Sequence, residues 1–165
     1  MMKSLVEWLG DALLESRIME QAMTRKDFKM KFHHSIDRII ENWCMIRYAE
    51  VTGQEKYSRC INHWKQELRA AIDPLFRARL KSGDKKSITA EIKDAYFGQY
   101  DTDPWEAYEY VYRTLTDKLD IEGDNDIRYK DVTLVSNSFI KDIDNIFDMI
   151  SSDNFSGMRK YIESL

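Results

Sequence analysis

The chain has 165 residues, with 25 basic and 29 acidic side chains, three His, two Cys, two Pro and six Gly, and 43% of it is hydrophobic. That composition excludes a disordered polyelectrolyte, which would be poor in aromatics, and a disulfide-framed scaffold, which needs more Cys. No apolar run reaches the roughly 18 to 20 residues needed to span a bilayer, and Glu7 and Asp11 interrupt the opening stretch, so the expectation is a cytoplasmic chain with no membrane partner.

Two Pro and six Gly are too few to punctuate an all-β chain, and apolar residues recur every three or four positions. The expected fold is therefore all-α: one domain over 1–165, a multi-helix bundle of about six or seven helices around a central antiparallel helical hairpin. Residues 1–23 read as a loosely packed N-terminal helix from about Leu5. It is opened by Ser4-Leu5-Val6-Glu7 and carries Leu5, Trp8, Leu9, Ala12 and Leu13 on one stripe.

Thr24 caps the next helix, which runs to Thr52 with Phe28, Phe32, Ile36, Ile39, Trp43 and Ile46 facing inward and Gly53 ending it. A third begins near Gln54 with Tyr57, Ile61, Trp64, Leu68, Ala71 and Ile72. It is expected to stop at Asp73-Pro74, where an Asp cap and a first-turn Pro start a short fresh helix from Leu75 to Lys81. A hairpin turning at Gly53-Gln54 sets Trp43 level with Trp64 and Cys44 near His63.

Beyond Gly83, Ile88 to Tyr96 reads as helix. Asp103-Pro104-Trp105-Glu106 then combines an Asp cap, a first-turn Pro and a capping-box Glu. The helix it opens, to Leu119, sets Trp105, Tyr108, Tyr112 and Leu115 on its inner face and Tyr110 on the opposite, exposed side. An acidic interhelix loop over 120–131 follows, then helices near 136–150 and 154–165.

Charge is uneven: residues 101–165 hold 7 of the 25 basic side chains but 15 of the 29 acidic ones. The positive excess gathers at Lys56, Arg59, Lys65, Arg69, Arg77, Arg79, Lys81, Lys85 and Lys86, a set that would suit nucleic-acid phosphates. The overall pI of about 5.5 opposes polyanion binding.

Two metal arrangements are readable. Cys60 and His63 share a helix face at i, i+3, with Cys44 near the same level on the partner helix, a donor set suited to zinc, although buried thiols are the plainer reading. The run Asp120 to Asp131 resembles an EF-hand calcium loop, with Asp120, Glu122, Asp124, Asp126 and Asp131 at the first, third, fifth, seventh and twelfth places. Asn125 stands where the loop has Gly, and Asp131 where it has a bidentate Glu. Such a loop would imply calcium; the plain alternative is a hydrated acidic connection.

No P-loop, G-x-G-x-x-G, G-x-S-x-G or H-E-x-x-H pattern occurs, so no residue is assigned catalysis and no cofactor is implied. Paired carboxylates such as Asp142 with Asp144 read as solvating groups. The feature best suited to a partner is the aromatic segment with Tyr100, Trp105, Tyr108, Tyr110 and Tyr112, because Tyr and Trp bring large contact area with few rotors. The expected function is protein–protein interaction or self-association, with nucleic-acid association and a metal-dependent role as alternatives.

Overall fold

The computed structural model describes residues 24–81, 83–119 and 129–165, apart from the side chains of 99–102. Seven helices lie in this range: α1 (Arg25–Thr52), α2 (Glu55–Ser58), α3 (Ile61–Arg77), α4 (Asp84–Thr102), α5 (Pro104–Leu119), α6 (Tyr129–Ser151) and α7 (Phe155–Ser164). The fold is an all-α multi-helix bundle, with no extended strand among the described residues. The expected helix over 5–23 lies outside them.

The ends of α1 follow from its caps. Thr24 Oγ1 accepts from the Asp27 N–H at 3.1 Å, and Gly53 turns left-handed at φ 64°, its N–H donating to the Ala49 carbonyl at 3.0 Å. Between them α1 carries more than one inward stripe. Asn42, Trp43, Cys44, Met45 and Ile46 are consecutive and all buried, because α1 packs against α3, α4, α5 and α6. A helix covered on that many sides is the bundle's axle.

The hairpin is antiparallel. At one end the rings of Phe28 in α1 and Phe76 in α3 both approach Lys85 Nζ, at 5.9 and 5.8 Å; at the other, Tyr48 and Tyr57 meet edge to face at 5.4 Å. Trp43 differs from the sequence expectation. Rather than pairing with Trp64, its ring lies on Phe139 of α6 at 5.6 Å, because its N–H needs a buried acceptor and finds one on α6; Trp64 is half-buried at the core's edge.

The break expected at Asp73-Pro74 does not occur. Helix α3 runs through Pro74 to Arg77, and the fresh helix from Leu75 to Lys81 is absent: Ala78 is already extended at ψ 130°. The physical reason is the unbroken apolar stripe of Leu68, Ala71, Ile72, Leu75 and Phe76, all buried, whose packing outweighs the roughly 3 kcal/mol penalty of an interior Pro. Asp73 is not a cap but an i, i+4 partner of Arg77 at 2.8 Å.

On the far side, α6 reads Val132, Val135, Phe139, Ile143, Ile146, Phe147 and Ile150 into the core. Phe147 meets Phe32 at 5.1 Å and Phe97 at 5.7 Å, joining α6 to α1 and α4. Lys85, only 6% exposed, pairs with Asp153 in the turn between α6 and α7 and donates to the Ala78 carbonyl at 3.4 Å. One buried cation thus links the end of α3, the start of α4 and the α6–α7 turn.

Replacing Pro74 restores a donor for the Ala70 carbonyl. Pro74→Ala is expected to stabilise the fold by about 1 to 2 kcal/mol after the added freedom of the unfolded chain is subtracted, read as a higher thermal midpoint. A lowered midpoint would mean that the pyrrolidine ring packs better than the missing bond costs.

Candidate functional site

Helix α5 starts as its sequence dictates: Asp103 Oδ1 accepts from the N–H groups of Trp105 and Glu106 at 3.1 and 3.4 Å. Its inward face, however, is Ala107, Val111 and Leu115. This is rotated by somewhat less than one residue step of about 100° from the face expected from the aromatics. Tyr110, expected outside, is half-buried against Phe139 at 5.7 Å, so it is not an exposed contact residue. Trp105 is the exposed one, at 57%. The small and aliphatic side chains fill the tight contact, and the larger rings are left to its flank.

Along that flank Trp105, Tyr108 and Tyr112 stack in sequence, with centroids 5.5 and 6.1 Å apart and planes within 18°. Tyr129, in the first turn of α6 and 62% exposed, tilts onto Tyr108 at 5.0 Å. The four rings make a ridge beside a shallow depression bordered by Glu109 and Arg113, themselves paired at 3.6 Å. Burial, then the neighbouring Tyr129 and Tyr112 hydroxyls, push the Tyr108 pKa up, so it remains a neutral donor and acceptor at neutral pH. The side chain of Tyr100 lies outside the described residues. Tyr129 is a member that sequence reasoning missed, since only the α5–α6 packing brings it to Tyr108.

The basic set does not form one free surface. Lys85 is buried and paired with Asp153, Arg77 is held by Asp73, and Lys65 donates to the Glu163 carbonyl at 3.3 Å. Lys56 lies over the Tyr57 ring at 4.9 Å. Arg59, Arg69, Arg79, Lys81 and Lys86 are exposed. Helical periodicity could not separate these cases, because the partners of Lys85 and Lys65 come from distant parts of the chain.

The proposed zinc ligands are not gathered. Cys44 is fully buried among apolar side chains, Cys60 is half-buried with its thiol 3.7 Å from the Lys56 carbonyl, and His63 is exposed. Burial first, then the Glu41 charge, raises the Cys44 pKa, leaving a neutral thiol. Among the described residues no three His, Cys, Asp or Glu side chains come together as a metal site. Most of the Asp120–Asp131 loop lies outside the described residues; Asp131 sits in the first turn of α6. His33 Nδ1 lies 2.6 Å from the Tyr96 hydroxyl, an α1–α4 link, and His34 is exposed.

Asp142 is not the solvating carboxylate expected from the sequence. It is buried, and its Oδ2 accepts from Trp43 Nε1 at 3.2 Å and from Arg47 Nε and Nη2 at 3.2 and 2.9 Å. The Tyr161 hydroxyl accepts a second contact from Trp43 Nε1 at 3.2 Å. Burial opposes the Arg47 charge, but the bond to Asp142 and its charge, with Glu50, more than offset this and raise its pKa. The spacing Phe139, Asp142, Ile143, Ile146 was the available signal: it places residue 142 on the inward face of α6.

In comparisons with known proteins, the chain matches no family model, no curated protein and no solved structure. Among the described residues no helix is long and apolar enough to cross a membrane.

Asp142→Asn keeps the shape but removes the counter-charge of a partly buried guanidinium. It is expected to cost about 2 to 3 kcal/mol, measured as a lower urea midpoint with unchanged slope. Tyr161 gives a pH test. Burial first, then the Asp142 charge, push its pKa up to about 12, against about 10 unfolded. The folded chain holds this proton more tightly, so the stabilisation is complete below pH 10 and disappears as pH rises through 12. Urea midpoints measured from pH 9 to 12 should fall, and fall less steeply in Tyr161→Phe; equal slopes would contradict the assignment.

Proposed function

We propose that the chain works as a non-catalytic, protein-binding helical module, and that its binding surface is the ridge of Trp105, Tyr108, Tyr112 and Tyr129. The observation that carries this reading is the exposure of Trp105 and Tyr129, both of which pack on the central ring, Tyr108. Large rings left in water beside a packed core are what hot spots of protein interfaces use, because they enter the interface already ordered by their neighbours. Glu106 and Glu109 are exposed on the same helix, and the region from 101 onward is acidic, so the chemistry favours a partner with an apolar face rimmed by Lys or Arg.

A nucleic-acid role has a narrower basis in the exposed Arg59, Arg69, Arg79, Lys81 and Lys86. The net charge of −4 works against it, as does the engagement of Lys85, Arg77 and Lys65 in intramolecular contacts.

Affinity capture from an extract of the native cells, run in parallel with wild type and with Trp105→Asp/Tyr129→Asp, tests the reading. A partner held by wild type and reduced at least tenfold by the double variant, with its thermal midpoint unchanged, is the expected outcome. Equal capture by both would place the working surface elsewhere. Sedimentation over a range of concentrations tells a second copy from a different protein, and oligonucleotide binding that weakens steeply with salt would favour the basic segment instead.

A further inference from the structure

The ridge on α5 and α6 offers more than apolar area. Among the described residues no hydrogen bond engages the Trp105 indole N–H or the hydroxyls of Tyr108, Tyr112 and Tyr129. Glu109 lines the depression beside the rings, and its contact with Arg113 is 3.6 Å long, between side chains 48% and 80% exposed. A pair that open to water contributes little, so the carboxylate can exchange Arg113 for a cation brought by a partner. The surface thus combines near-parallel rings, an unengaged indole donor, unengaged phenol groups and one acid.

These groups select among partner backbones. A helical partner has its carbonyls engaged in its own hydrogen bonds and leaves the indole and phenol donors unmatched. A strand needs a sheet edge, and the described residues hold no extended strand. A polyproline II segment meets both demands. Its carbonyls make no internal bonds, and each Pro adds an apolar ring while removing an N–H for which this surface has few acceptors. It is also extended before binding, which counts on a shallow depression that buries too little area to offset the ordering of a flexible chain. Spacing agrees: α5 rises about 10.5 Å from Trp105 to Tyr112, close to the roughly 9.3 Å between prolines three residues apart on one face of polyproline II.

We infer, resting on the ridge as the protein-binding surface, that its ligand is a proline-rich polyproline II segment of a different protein. Prolines three residues apart pack along Trp105, Tyr108 and Tyr112, ligand carbonyls accept from the Trp105 indole and the tyrosine hydroxyls, and a flanking Arg or Lys meets Glu109. A second copy cannot be the ligand, because the chain has two Pro, of which Pro74 lies inside α3 and Pro104 opens α5.

Fluorescence anisotropy of the full chain with three labelled peptides tests this: decaproline, decaproline carrying Arg residues at one end, and an Ala-rich helical peptide of the same length and charge as the second. The Arg-tagged decaproline is expected to saturate below about 1 mM and to bind at least tenfold more tightly than the helical control. Trp105→Ala should weaken it at least tenfold with an unchanged thermal midpoint, and Tyr112→Phe, which removes only a hydroxyl, about threefold to tenfold. Glu109→Gln should remove the advantage of the Arg tag and leave plain decaproline binding as before. No saturation by either decaproline at about 1 mM, equal binding of the helical control, or affinity that Trp105→Ala leaves unchanged overturns the polyproline ligand. An Arg preference that survives Glu109→Gln overturns the placement of the flanking cation. If an extract partner is still captured through Trp105 and Tyr129 while both decaprolines fail, the ridge stands and its polyproline ligand falls; if both fail, the ridge falls too.

Discussion

Burying several faces of α1 among four other helices creates the constraint on which the remaining structure depends: each polar group on those buried faces must find a partner inside the protein. Trp43 and Arg47 lie one turn apart on that helix, and both turn to the same acceptor, Asp142 of α6. A lone carboxylate or guanidinium in that position would be costly, whereas the joined pair is tolerated and also fixes which turn of α6 lies against which turn of α1. Phe139, one turn before Asp142, stacks on Trp43 and reaches toward Tyr110 and Phe97, so this register is passed on to α5 and α4. Among the described residues no buried side-chain polar atom lacks a hydrogen-bond partner.

A second buried charge does similar work at the other end. Lys85 sits beneath Phe28 and Phe76 and reaches Asp153, whose left-handed backbone at φ 55° is a conformation that Asp tolerates better than most residues. The two charged contacts lie at opposite ends of α1, and between them the core is aliphatic and aromatic. With the interior committed in this way, the exposed large apolar side chains among the described residues are Trp105 and Tyr129 of the α5–α6 ridge, together with Phe155, Met30 and Leu134.

The sequence was most informative where structure is set locally. Thr24 and Gly53 bound α1 as their capping chemistry requires, and Asp103-Pro104 starts α5 at the residue expected. It was least informative where a distant partner decides. Pro74 carries a strong local stop signal, yet Leu75 and Phe76 continue a stripe that the rest of the core holds in place. Asp142 and Lys85 read as surface charges until Arg47 and Asp153, far away in the chain, are brought to them. The candidate site was half legible: the crowding of Trp105, Tyr108 and Tyr112 was visible, whereas the inward turn of Tyr110 and the arrival of Tyr129 were not.

Periodicity and capping alone therefore determined that the chain is helical, roughly where its helices lie, and that two of them form a hairpin, because those properties follow from interactions between residues three or four apart. Which face of α5 looks inward, which basic residues are free, and which carboxylate is buried were decided only by the tertiary structure. Each depends on the side chain that a different helix presents at the same level, and no spacing within one helix contains that information.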